Sequence, residues 1–247
     1  MEETKTNIND WKPRTTLGKK VKLGEITDMD YILDKGMTIL ESEIVDVLVP
    51  DLSTDLLMIG QSKGKFGGGQ RRVFRQTQKK TCEGNQPSFA TYAVVGNKDG
   101  LVGVGYGKSK ETVPAREKAI RAAKLGVFKI RRGCGSWECA CKDAHSIPFE
   151  VRGKCGSVIV VLKPAPKGTG LVSEKEVAKV LATAGIKDVW SQVYGSADSK
   201  INLVKATEDA LKNLVRTKIK QSHVAILNVT EGKGKTMPKV AEVEKDE

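Results

Sequence analysis

Between Gln61 and Lys80 the chain reads QSKGKFGGGQRRVFRQTQKK, seven lysines and arginines in twenty residues with no acidic side chain among them. The chemistry such a run supports is phosphate binding. Unpaired charge at this density repels itself until a polyanion neutralises it, and each neutralised phosphate releases condensed counterions. The candidate contacts are Lys63, Lys65, Arg71, Arg72, Arg75, Lys79 and Lys80. Gly67, Gly68 and Gly69 let backbone amides come close to a phosphate, and Phe66 and Phe74 offer flat faces to a base. The plainer alternative is a solvated basic loop.

Other constellations are weaker. The run Gly103 to Ser109, GVGYGKS, looks like a nucleotide loop, but a P-loop ending in Gly107, Lys108 and Ser109 needs glycine where Val102 stands. Its glycines fit a strand that approaches another backbone closely. The loop Pro164 to Gly170, PAPKGTG, precedes a helix and could cradle an anion, though a turn uses the same residues. Cys134, Cys139, Cys141 and His145 are four potential zinc ligands within twelve residues. Structural sites usually pair ligands two to four residues apart, whereas here four residues separate the first two and one separates the next, so shielded thiols in a compact connector are favoured over zinc. Cys155 is a substitute ligand. With two histidines, His145 and His223, and no nucleophile elbow, the chain does not read as an enzyme, and no cofactor is expected.

The elements that position these residues follow from pattern. The chain has 247 residues and a formal charge of +12, enough for two ordinary domains and suggestive of a nucleic-acid partner. No apolar run approaches the ~20 residues of a membrane span, and no signal segment opens the chain, so a soluble, cytoplasmic protein is expected. Residues 1–20 and 229–247 lack a core pattern and read as flexible or partner-ordered tails. A short helix is expected at Asp28–Lys35, a second apolar segment at Ile44–Val49 stopped by Pro50, and strands at Asp55–Ile59 and Arg71–Thr77. SFATYAVV and LVGVGYG, joined by GNKDG, form a hairpin. The helix VPAREKAIRAAKLGVFKI carries an apolar stripe from Val113 to Ile130, with Lys118, Arg121, Lys129 and Arg132 in a basic row opposite. A boundary is placed near residue 131. Beyond it come a strand at Ser157–Leu162, a helix at Glu174–Ala184 capped by Ser173 and ended by Gly185, a strand at Asp188–Tyr194 and a helix at Ile201–Arg216.

Four of these motifs occur together in order: GQRRVFRQTQKK, AVVGNKDGLVGVGYGKSKE, VPAREKAI, and the block from GKCGSVIVVLKPAPKGTG to VWSQVYGS. Over roughly residues 40 to 216 the chain thereby resembles the small ribosomal subunit protein S-five family, in its archaeal branch. The resemblance implies an α+β fold: a double-stranded-RNA-binding-like domain, an antiparallel sheet plus helix, followed by a C-terminal α/β domain with a left-handed crossover, between flexible basic tails. The expected division is an N-terminal extension over 1–40, the first domain over 41–131, the second over 132–220 and a tail over 221–247.

The same resemblance implies a structural, non-enzymatic component of the cytoplasmic ribosome. It would bind small-subunit rRNA, touch neighbouring proteins, notably the fourth and eighth of the small subunit, lie near mRNA and influence decoding accuracy. Carried over by motif, Gly68, Gly69, Arg71 and Arg72 would contact rRNA, with Lys108 and Lys110 after the hairpin as further candidates. The segment Thr81–Pro87 and the cysteine-rich connector are absent from the shorter bacterial form. The alternative reading is a free double-stranded-RNA-binding regulator.

Overall fold

The computed structural model describes residues 11–62, 70–141, 143–232 and 235–236. Three short helices come first, α1 (Thr16–Lys22), α2 (Met29–Asp34) and α3 (Ser42–Leu48). Thr15 caps α1 by accepting a bond from the Gly18 amide at 3.0 Å, and Gly36 ends α2 in the left-handed region at φ 63°. Their apolar faces meet at Val21, Met29, Ile32, Ile44 and Val45, closed from below by Leu101 and Val127. Glu41 ties the chain start down, accepting from the amides of Arg14 (2.8 Å) and Thr15 (2.7 Å) and from Trp11 Nε1 (3.1 Å). Order therefore extends further into the N-terminal segment than the polar pattern of residues 1–20 indicates.

The first sheet contains β1 (Ser53–Leu57), β2 (Arg75–Thr81), β3 (Gly84–Gly96), β4 (Leu101–Ser109) and, after α4 (Thr112–Leu125), β5 (Phe128–Lys129). Its order is β1-β3-β4-β5, and β2 pairs with β3 on the edge that β1 also uses. β1 takes Tyr92 to Gly96 and β2 takes Gly84 to Ala90, so one long strand serves two partners in succession. Its inner half is buried and its outer half, from Gly84 to Pro87, is exposed.

β2 starts at Arg75, four residues later than the sequence suggested. The backbone at Arg71 and Arg72 is engaged elsewhere: Arg71 bridges Ser62, and the Arg72 carbonyl accepts from the Gly60 amide at 2.8 Å. The helix expected to run through Ile130 stops at Leu125, with Gly126 at its end. Its buried face is Ala115, Ala119 and Ala123, whereas Val113 is 64% exposed. Small residues are required because the facing strand offers Gly103, Gly105 and Gly107, and a Cβ at any of the three would run into the helix backbone at Ala115, Ala119 or Ala123. Lys129 and Arg132 consequently lie beyond the helix rather than on it.

After β6 (Arg131–Arg132) and an irregular connector, the second half has β7 (Val151–Cys155), β8 (Val158–Pro164), β9 (Leu171–Val172), α5 (Lys175–Ala184), β10 (Val189–Tyr194) and α6 (Lys200–Arg216). The sheet order is β7-β8-β10-β9, antiparallel except for β9 and β10, the parallel pair that α5 links. Glu174, not Ser173, caps α5: its carboxylate accepts from the Glu176 amide at 2.8 Å. Gly185 ends the helix at φ 87° as expected. The two sheets share one buried cluster, in which Leu57, Tyr92 and Val94 meet Val160, Leu181 and Leu211. At the C-terminal side, α7 (Gln221–Ile226), β11 (Thr230–Glu231) and β12 (Lys235–Thr236) extend structure into the expected tail, β11 pairing with β6. None of the helices among the described residues is long and apolar enough to cross a membrane.

Candidate nucleic-acid interface

The strand register assembles the basic residues that the sequence scatters. Arg75 pairs with Ala90, and Ala90 with Lys108, so the two cations share one face of the sheet, two strand spacings or about 10 Å apart. Lys79 lies on that face four residues further out, while Lys80 takes the other face. Arg72, Arg75, Lys79, Lys80, Lys108 and Lys110 are all exposed, and among the described residues none of them forms an ion pair. Arg71 differs: its Nη2 lies 3.1 Å from Asp198 Oδ1, a carboxylate with 93% of its side chain exposed. Lys63, Lys65, Gly68 and Gly69 lie outside the described residues, as does Phe66. The Ser62–Arg71 bridge closes the two ends that flank them.

Tyr106 was not singled out from the sequence. It is 46% exposed, sits two residues before Lys108 on the same strand face, and packs on Tyr92 with ring centroids 5.2 Å apart. Burial pushes the Tyr92 hydroxyl up to about 12, so the inner ring stays neutral. The readable signal was alternation in GVGYG: glycines facing the helix place Tyr106 on the opposite side. Phe74, the stacking candidate, is half-buried. On α4, Lys118 and Arg121 are exposed, whereas Lys124 is held by Asp46 at 2.7 Å.

The two glycine-rich runs do other work. GVGYGKS is strand, and its glycines accept the helix. In PAPKGTG the amides of Gly168 (3.0 Å) and Gly170 (2.8 Å) donate to Asp188 Oδ1, so this loop cradles the chain's own carboxylate. The spacing of Cys134, Cys139, Cys141 and His145 weighs against a shared site, yet their ligand atoms all lie within 4.8 Å of one another. Cys155 is in β7 and Cys82 is exposed between β2 and β3, and neither belongs to the group. Burial pushes the Cys134 thiol up to about 12, while the Cys141 thiol and backbone N–H groups pull Cys139 down to about 6.

Comparison with known proteins agrees with this architecture. Residues 71–131 match the model of the ribosomal protein S5 N-terminal domain, and residues 153–224 match that of the C-terminal domain. The small ribosomal subunit protein uS5 of Nanoarchaeum equitans is 49% identical over 226 residues, 92% of this chain and 97% of the relative. That of Methanocaldococcus jannaschii is 45% identical over 227 residues, covering 92% and 98%. That of Staphylothermus marinus is 47% identical over 209 residues, covering 85% and 91%. These are structural proteins, in keeping with the non-enzymatic reading of the sequence. With both domain models matched in order and archaeal relatives aligned over most of its length, the chain belongs to the ribosomal protein S5 family of the small ribosomal subunit.

Proposed function

We propose that the chain works as a structural, rRNA-binding component of the small subunit in the cytoplasmic ribosome, and that the outer part of its first sheet is the rRNA contact. The observation carrying this reading is the row of Arg75 and Lys108 across the sheet, extended by Lys79, exposed and without a counter-ion among the described residues. Cations held on a rigid sheet position a phosphate backbone without reading its sequence, and an exposed ring such as Tyr106 adds a stacking surface. Arg71, Arg72 and Lys110 extend the same surface, Lys80 adds a cation on the opposite face of β2, and Lys63, Lys65, Gly68 and Gly69, between Ser62 and Gln70 in sequence, are further contacts. Residues 41–131 and 132–220 act as its two domains. The second carries the surface for the neighbouring fourth and eighth small-subunit proteins; the chain lies near the mRNA path and contributes to decoding accuracy.

The decisive test is the distribution of the native protein across sucrose gradients run at moderate and at high salt. Co-migration with the small subunit that resists high salt is the expected result. Protein that stays at the top of both gradients would instead point to a free double-stranded-RNA-binding regulator. Reporter misreading rates in a strain carrying the Lys108→Ala chain then test the accuracy role separately.

A further inference from the structure

The connector between β6 and β7 has little to hold it by apolar burial. Among residues 135–144, no described side chain is buried, Trp137 is 91% exposed, and no helix or long strand forms. Its ends are nonetheless fixed, with Gly133 and Ser146 exchanging two backbone hydrogen bonds of 2.9 Å. Between those ends three sulfurs and a ring nitrogen converge. Cys141 Sγ lies 3.0 Å from Cys139 Sγ and 3.7 Å from Cys134 Sγ, and Cys139 Sγ lies 3.7 Å from His145 Nε2.

A tetrahedral zinc ion about 2.3 Å from sulfur and about 2.0 Å from nitrogen sets ligand-to-ligand edges of about 3.5 to 3.8 Å. Two of the three printed separations already have that length, and the widest spread in the group is 4.8 Å. A disulfide does not account for the arrangement, because its sulfurs would stand at about 2.05 Å. The surroundings match a metal's outer shell as well. His145 Nδ1 is bonded to Asp188 Oδ2 at 2.7 Å, both side chains nearly fully buried, which leaves Nε2 facing the sulfurs. Asp188 is held in turn by the Gly168 and Gly170 amides. A carboxylate that orients a ligating histidine is the usual support of such a site.

We propose that Cys134, Cys139, Cys141 and His145 bind one structural zinc ion through three thiolates and Nε2, with Asp188 as the positioning residue. Zinc takes all three sulfurs as thiolates, so binding releases to solvent whichever thiol protons remain, and the imidazole ligates through Nε2 with its proton on Nδ1 toward Asp188. The ion staples the connector to itself, and Asp188 joins His145 to the PAPKGTG loop, giving a segment without a core of its own a fixed shape.

The test uses the full-length chain purified under reducing conditions, with metal content measured by elemental analysis and site geometry by cobalt(II) substitution. The expected result is one equivalent of zinc per chain, together with the absorption of a tetrahedral cobalt thiolate site. Cys139→Ser loses both signals, while Cys82→Ser and Cys155→Ser keep them. Asp188→Asn retains the site but weakens zinc affinity by about 10- to 100-fold in competition with a chromophoric chelator. If Cys139→Ser fails to fold, the wild-type chelator competition and cobalt spectrum decide. A folded wild-type chain with substoichiometric zinc and no cobalt thiolate spectrum overturns the proposal. So does an iron–sulfur chromophore, or a Cys139–Cys141 disulfide in place of metal.

Discussion

The chain contains two Arg-Arg pairs, Arg71-Arg72 and Arg131-Arg132, and puts them to opposite uses. Around the second, every cation meets a carboxylate. Lys129 reaches Asp34 and Glu231, Arg131 bonds Glu231 and the Leu214 carbonyl at 3.1 Å, and Arg132 bonds Asp99. These side chains are only 10 to 17% exposed and join the N-terminal helices, the turn of the first hairpin and the end of α6. Around the first pair, Arg72 and its neighbours on the outer sheet face solvent. A net charge of +12 is therefore a poor guide to what is available for RNA. What matters is where the acidic residues stand, and Asp34, Asp99 and Glu231 all stand at the inner seam.

The contrast is open to attack at four points. Replacing Arg72, Arg75, Lys79 and Lys108 together by alanine should lower the slope of log affinity against log salt by about 3 if each neutralises one phosphate. The unfolding free energy should stay within ~0.5 kcal/mol. Filter binding to small-subunit rRNA and urea titration read the two quantities, and an unchanged slope removes the outer sheet from the interface.

Arg131→Ala should do the reverse. It leaves Glu231 with Lys129 alone and takes the donor from the Leu214 and Thr217 carbonyls, costing about 1 to 2 kcal/mol in urea unfolding, with the salt slope intact. A smaller effect concerns pH. Burial alone would lower the Lys129 ammonium, but Asp34 and Glu231 outweigh it and hold it above the ordinary 10.5. Its folded-state contribution is fully present below that ordinary value and disappears as pH rises through the raised one. Urea midpoints should fall with pH in this alkaline window for the wild type and less steeply for Lys129→Met. The smallest expected effect is at Arg71. Its exposed pair with Asp198 is worth under about 1 kcal/mol, so RNA can take Arg71 from it. Asp198→Asn should then strengthen RNA binding slightly, and unaltered or weaker binding would show that Arg71 stays out of the interface.

Much of this architecture was legible because it rests on local rules. Alternation exposed the β3–β4 hairpin, and Gly36 and Gly185 marked helix ends through their positive φ. The errors arose where distant partners decide. α4 stops at Leu125 instead of continuing to Ile130, since residues 128–129 are claimed by β4 as an edge strand. The late start of β2 reflects Gly60 and Gln61 bonding to Arg72. Ser173 is a good cap by residue type, but the helix starts one residue later and its backbone path puts Glu174 in the cap position. The interface was half visible: charge density marked the cations, but only register aligned Arg75 with Lys108. The convergence of the cysteines was hidden for a similar reason. Ligand spacing says little when the loop folds back on itself, and Asp188, 43 residues from His145, carries no sequence mark of its role.

β3 offers a last consequence, a kinetic one. Thirteen residues form one strand whose inner end lies in the shared core and whose outer end is flanked by β2 alone over Gly84 to Ser88. A two-stranded ribbon is only marginally stable by itself, so its hydrogen bonds open locally, at far lower cost than the core strands. Amide protons should therefore exchange fast near Asn85 and progressively slower toward Val95, a clock graded along a single strand. Bound RNA would slow the fast end and leave the slow end untouched.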